Sequence, residues 1–261
     1  MSDDGVYARK QLGCPVGLMA FSHERRFRVG HAILRSLGAR RVLDYGCGDG
    51  TFLERCAPEL DAGLGVDLAL DLVAACRTRL AGASNLAFAT TDELAAMPPH
   101  TWDAAVCMET LEHCLDAEVD RVLDVLMGAC RPTGALVISV PIESGPPVLV
   151  KQAARRLAAA RGSADYASNE HYPPWTMARQ LLATARTQIA RPVYTGTWGP
   201  FHPHYGFNWR RLRARVAERC GRVVTRFSPL PALGGLANSQ AWFICRPPFT
   251  PTGKSAAVPG A

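Results

Sequence analysis

One stretch near the start of the chain constrains the fold more than any other: Val42-Leu43-Asp44-Tyr45-Gly46-Cys47-Gly48-Asp49-Gly50. An apolar run of strand length enters a turn with glycine at every second position, and residues 51–57 then have the composition of a helix. Glycine accepts positive φ and lets a ligand approach the main chain closely. The helix that follows leaves N–H groups free in its first turn. Together they form a cradle at the carboxyl end of a first strand, the place where α/β sheets bind nucleotide-like ligands. Asp44 closes the strand, and an anionic side chain there suits a ligand with cationic groups better than a pyrophosphate. A dinucleotide fingerprint wants a third glycine where this chain has Thr51.

The pattern around this stretch repeats. A helix is expected over residues 22–37, capped by Ser22, with Phe27, Val29, Ala32, Ile33, Leu34 and Leu37 on its apolar face and Gly38 ending it. Strands are expected at 41–45, 63–67, 85–89, 102–108 and 134–140, with helices at 69–80 and 117–130 between them. Strands alternating with helices at this spacing predict a parallel sheet covered on both faces. After residue 140 the rhythm breaks. Residues 141–207 hold two basic amphipathic segments, at 148–161 and 176–190, and then a loop rich in Pro, Gly and aromatic residues. A helix at 209–220 and strands at 222–227 and 240–245 close the fold. This divides the chain into an arm at 1–21, a core at 22–140, a cap or lid at 141–207, the rest of the core at 208–246, and a disordered tail at 247–261.

Composition limits the function classes. The 261 residues suit one domain with elaborations, and no run reads as a membrane span or a signal peptide, so a cytoplasmic protein is expected. The nine cysteines form no CxxC pair and read as reduced, buried thiols. No metal site is assigned; the nearest approach to one is His202-x-His204 with His171. The net charge of +6 is uneven: residues 147–217 carry eleven Lys/Arg against two acids, leaving −3 elsewhere. That basic segment reads as a solvated helical face, as peripheral contact with an anionic membrane face, or as a steering field for an anionic acceptor.

The Asp44–Gly50 turn resembles the first motif of the class I S-adenosylmethionine (SAM) dependent methyltransferases, DxGxGxG, at all four fixed positions. Further landmarks follow in that family's order: Gly65-Val66-Asp67 at the second strand end, Thr91-Asp92 after the third, and Glu109-Thr110-Leu111-Glu112-His113, similar to the xxxLEH segment of small-molecule members. The resemblance runs over residues 41–140 and more faintly over the last two strands. It implies a doubly wound, mostly parallel α/β sheet of seven strands, the last antiparallel, with a helical, aromatic-rich insertion after strand 5.

It also implies SAM as cofactor, bound by Asp44, Gly46, Cys47, Gly48, Gly50, Asp67, Leu68, Asp92 and Glu109. Asp67 would take the ribose hydroxyls, Leu68 the adenine face and Asp92 the adenine amino group. Asp92 has an alternative reading as a cap of its turn, and Glu109 as a cap of its loop. His113 reads either as a base or as a structural histidine. His202, His204 and Tyr205 are the acid/base candidates in the insertion.

The activity implied is methylation of an oxygen or nitrogen, rather than carbon, of a small or lipid-like metabolite. Nucleic acid is disfavoured as a partner: Met108-Glu109-Thr110-Leu111 stands where amino-methylating nucleic-acid enzymes carry Asn/Asp-Pro-Pro-aromatic. The rival readings are a NAD-type oxidoreductase on a similar sheet, and a SAM-fold binding protein without catalysis.

Overall fold

The computed structural model describes residues 17–160 and 173–252, with side chains at 24–153 and 173–252. Strands β1 (Arg41–Tyr45), β2 (Ala62–Asp67), β3 (Leu86–Thr90), β4 (Trp102–Met108) and β5 (Cys130–Pro141) come first, followed by a hairpin of β6 (Tyr194–Gly196) and β7 (Gly199–Phe201). Strands β8 (Cys220–Ser228) and β9 (Gln240–Phe249) come last. The helices are α1 (Gly17–Leu37), α2 (Thr51–Cys56), α3 (Leu70–Arg79), α4 (Thr91–Ala95), α5 (Asp116–Ala129), α6 (Pro147–Ala160), α7 (Pro174–Leu181) and α8 (Trp209–Ala217). Seven strands form one sheet in the order β3-β2-β1-β4-β5-β9-β8. The pairs from β3 through β5 are parallel; β9 runs antiparallel to both of its neighbours.

The sequence explains the layers. Along each central strand, successive side chains point to opposite faces, and here both faces are apolar. Leu43, Ala105, Cys107, Leu136, Ile138 and Phe243 join one buried cluster with α5 and α8. Val42, Ala104, Val106, Val137, Trp242 and Ile244 join a second, with Ile33 and Leu34 of α1 and Phe52 and Leu53 of α2. The order of strands reverses beside β1, so the carboxyl ends of β1 and β4 border the crevice in which such sheets bind ligands.

Several boundaries differ from the sequence expectation. Helix α1 spans Gly17–Leu37, so Ser22 lies inside it rather than at its start. Helix α7 stops at Leu181 instead of continuing to residue 190, because two threonines take over the backbone there. Thr187 Oγ1 accepts the Thr184 N–H at 3.0 Å, and Asn208 Nδ2 donates to both carbonyls, Thr184 at 2.7 Å and Thr187 at 2.9 Å. Strand β9 extends to Phe249, so 247–249 belong to the sheet rather than to a tail. The β6–β7 hairpin occupies what reads as loop. The arm at 1–16, Tyr166, His171, Tyr172 and residues 253–261 lie outside the described residues. Of the eight described cysteines, seven are buried and Cys114 is half-buried, all as free thiols.

Candidate active site

The glycine turn is built as a cradle. Gly46, Gly48 and Gly50 all have positive φ, at 76°, 55° and 74°. Gly46 is the tightest: a Cβ there would stand 2.2 Å from Thr110 Oγ1, so the first turn and the loop after β4 close on each other only because a side chain is missing. The turn is held from beneath. Val66 carbonyl accepts the N–H of Gly46 at 2.7 Å and of Cys47 at 3.0 Å. Asp67 accepts the Gly48 N–H at 2.8 Å through Oδ2 and the Ala69 N–H at 3.0 Å through Oδ1. Each of its oxygens keeps a second lone pair for a ligand. Burial pushes the Asp67 carboxyl up from its ordinary value, against those backbone bonds.

Asp44 sits behind the turn, 2% exposed. Burial and the nearby Asp67 charge raise its carboxyl to about 7, with Arg26 pulling the other way. A cationic ligand in the cradle would restore the ionised form. Beside Asp67, Leu68 and Leu70 are more than half exposed, an apolar shelf at the strand end. Asp92 is exposed in the first turn of α4. The cap of that helix is Thr90, paired reciprocally with Glu93, so the alternative reading of Asp92 as the cap is not what the structure has. Glu109 adopts φ 53°. Its Oε1 accepts from Ser139 Oγ at 3.3 Å, and Arg26 lies 3.9 Å from Oε2. Burial raises its carboxyl.

The loop after β4 meets the insertion. His113 Nδ1–H donates to the His202 carbonyl at 2.9 Å, and the His202 N–H returns a bond to the His113 carbonyl at 2.9 Å. Burial holds the His113 imidazole below its ordinary value. The His204 ring stands edge-on to His113, centroids 4.9 Å apart. His202 turns elsewhere, its Nδ1–H donating to Pro192 carbonyl at 2.7 Å. Tyr205 contributes its carbonyl to Arg191 Nε at 3.2 Å. Arg191 also donates to the carbonyls of Pro203, at 2.7 Å, and Glu112, latching the two loops together. So His113 and His204 are brought together, while His202 meets His113 through its backbone and turns its ring to Pro192.

Sequence reasoning passed over Glu112. It is fully buried, and among the described residues neither of its carboxylate oxygens has a hydrogen-bond partner. Burial and the Glu109 charge push its carboxyl far up. The signal that could have found it was a second acid three residues after Glu109 and directly before a histidine.

The methyltransferase domain family matches residues 21–185, well over half of the chain. The chain belongs to this family. The ubiquinone biosynthesis O-methyltransferase of Xanthomonas campestris pv. campestris (strain B100) is 33% identical to the methyltransferase over 107 residues, 40% of this chain and 44% of that protein. The chain thus spans less than half the length of that relative. Among solved structures, the methyltransferase domain of bacterial CtHen1 superposes with a TM-score of 0.55 at 14% identity, covering 86% of this chain and 99% of that one. The magnesium protoporphyrin IX methyltransferase of Synechocystis PCC 6803, with bound SAH, gives 0.53 at 16%, covering 87% and 84%. These likenesses place the sheet in the Rossmann-like class I methyltransferase fold. The cofactor of the SAM-dependent family, SAM, fits the site on the chain's own residues: the side-chain-free turn at Gly46, the lone pairs of Asp67, the exposed Leu68 shelf and the buried Asp44 acid.

Proposed function

We propose that the chain transfers the methyl group of SAM to an oxygen of a small, lipid-like acceptor. The observation that carries this is the meeting of two features at one sheet edge. A cradle fit for an adenosyl cation opens beside a loop, 109–113, whose ionisable side chains face the insertion. SAM supplies an activated methyl on a sulfonium, so the protein's task is to position the acceptor and accept its proton. In this reading Asp67 takes the ribose hydroxyls and Leu68 the adenine face. Asp92 takes the adenine amino group, Glu109 borders the amino-acid end, and His113 and His204 face the acceptor. The matched relative's name, a ubiquinone biosynthesis O-methyltransferase, supports oxygen on a phenolic lipid as the first acceptor class to try. The test is SAH formation over a panel of catechols and phenols with and without long alkyl tails, and amines of equal size. A methyl ether from the tailed phenols supports the reading; turnover confined to amines contradicts the oxygen assignment.

A second observation bears on where such an acceptor is met. Leu149, Val150, Trp175 and Leu182 of the insertion are each about half or more exposed. Large apolar groups left exposed can serve an interaction surface, and we read residues 141–207 as a lid that rests on a lipid surface. The basic segment supplies less of that attraction than its charge implies. Lys151 is paired with buried Glu143 at 2.7 Å, Arg191 is spent on carbonyls, and Arg215 bonds Asp120 at 2.6 Å. Arg155 and Arg156 lie outside the described side chains. Trp175→Ser with Leu182→Ser should reduce sedimentation with liposomes; unchanged sedimentation would refute the contact. Among the described residues no helix is long and apolar enough to cross a membrane.

A further inference from the structure

Three aromatic side chains of the β6–β7 hairpin are not accounted for by packing. Rings of this size stabilise a fold by being buried, yet Tyr194, Trp198 and Phe201 are 39%, 48% and 37% exposed. The hairpin has no core of its own: β6 is exposed throughout, and β7 is exposed apart from half-buried Gly199. Two strands alone are marginally stable at best. The turn between the paired Gly196 and Gly199 consists of Thr197 and Trp198, so a bulky ring stands where such turns favour Asn, Asp and Gly. The arrangement of the rings is more telling. Tyr194 and Phe201 are paired across the strands and share one face, with centroids 6.0 Å apart. The Phe201 ring lies across Gly196, where a Cβ would stand 3.1 Å from it. It also meets His113 of the core, edge-on, with centroids 6.5 Å apart. His113 in turn meets His204. A row of four rings thus runs from the exposed hairpin to the loop after β4. The stem of the hairpin is pinned, because His202 bonds the Pro192 carbonyl through its ring and exchanges two bonds with His113. Its tip, residues 193–198, is exposed at every position.

We propose that the β6–β7 hairpin is a clamp for a planar aromatic ring of the methyl acceptor. Phe201 is the specificity-determining residue, and Tyr194 and Trp198 close over the outer side of the ring. A flat ring laid against Phe201 continues the row of rings toward His113, in the offset or edge-on geometry that aromatic pairs prefer. Closing on it removes three protein rings from water together with the acceptor, which recovers the burial that the exposed hairpin forgoes. A pinned stem with an exposed tip suits such closure, as in loops that shut over bound substrates. A lipid surface is the other occupant that exposed rings could meet. The acceptor is favoured because Phe201 reaches inward to His113, on the loop whose Thr110 stands against Gly46 of the cradle. This inference rests on the proposed methyl transfer for the acceptor's place and deepens it: the acceptor is recognised by a planar ring and not by an apolar tail alone.

The test titrates the full chain, with SAH present so that no transfer occurs, with an alkyl-tailed phenol and with an aliphatic alcohol of equal length. Calorimetry reads affinity and tryptophan fluorescence reads the tip. The phenol should bind more tightly than the alcohol and shift emission to the blue, and Trp198→Phe should abolish that shift. Phe201→Leu should weaken phenol binding by roughly three- to tenfold, the scale of one lost ring pair, while Phe201→Tyr stays within about twofold of the parent. SAH affinity and melting temperature should hold in every variant, which separates lost recognition from lost folding. Equal binding of phenol and alcohol, or phenol affinity unchanged in Phe201→Leu, overturns the clamp. So does a full Trp198 shift on phosphatidylglycerol vesicles alone with nothing added by the phenol, since the rings would then meet the lipid surface. Methylation of tailed phenols by Phe201→Leu at the parental KM defeats this proposal and leaves the proposed function standing. Ring-dependent binding and closure without methylation of any oxygen acceptor supports the clamp and defeats the proposed function.

Discussion

At the scale of single residues, Asp44 and Gly46 carry the sharpest consequences. The Asp44 carboxyl is raised to about 7 in the folded protein without ligand, against about 3.9 in an unfolded chain. The folded state therefore holds this proton more tightly. Its contribution to stability is full below about pH 3.9 and is lost as pH rises to about 7, by up to ~4 kcal/mol. Urea unfolding of the parent minus Asp44→Asn across that window should show this slope; parallel curves would mean Asp44 ionises normally. A bound cation reverses the preference, so SAM binding should release a proton near pH 6 to 7 and weaken as pH falls. Calorimetry in buffers of different ionisation enthalpy reads that release, and Asp44→Asn should abolish it.

Gly46→Ala meets both a left-handed backbone, at about 1–2 kcal/mol, and Thr110 Oγ1 at 2.2 Å. Adding Thr110→Ala should recover the steric part and leave the backbone part. A double variant no more stable than the single one would contradict the contact. The residue pattern made the cradle legible, because glycine spacing and a strand-end acid are local features. Glu112 was not legible: its meaning depends on His204, ninety-two positions later by number and adjacent only after folding.

At the scale of elements, strands β1 and β4 stand where the sequence puts them, to the residue. Both are central and buried on both faces, so a run of apolar residues ends where burial ends. Elements without that constraint were not legible. The β6–β7 hairpin has almost no buried residue to create an alternation. The end of α7 is decided by Thr184, Thr187 and a distant Asn208 rather than by its own periodicity. The insertion is joined to the core at Arg191, which reaches Glu112, Pro203 and Tyr205 carbonyls. Arg191→Ala should therefore loosen residues 202–205 in hydrogen exchange and lower turnover while SAH affinity holds. Lost SAH binding with unchanged exchange would place Arg191 with the cofactor instead.

At the scale of the whole molecule, a doubly wound sheet presents the cradle, and in the proposed reading the segment between β5 and α8 closes an acceptor site over it. The basic excess of residues 147–217 is partly consumed inside the fold, by Glu143, Asp116 and Asp120 and by backbone carbonyls, which moves the solvated-face reading behind a structural one. The mostly parallel, doubly wound sheet was legible because strand–helix units alternate along the chain, whereas its strand order emerges only in the folded molecule. Which molecule enters beneath the insertion was not, since that depends on side chains brought together from separate elements.

The most direct measurement is calorimetric titration of the full chain with SAM, SAH and NAD, alongside Asp67→Ala. The account predicts micromolar binding of both adenosyl ligands, no heat from NAD, and a loss of about 1–3 kcal/mol in Asp67→Ala, the cost of leaving polar groups unpaired. Binding of NAD in place of SAH, or SAH affinity indifferent to Asp67, would contradict it.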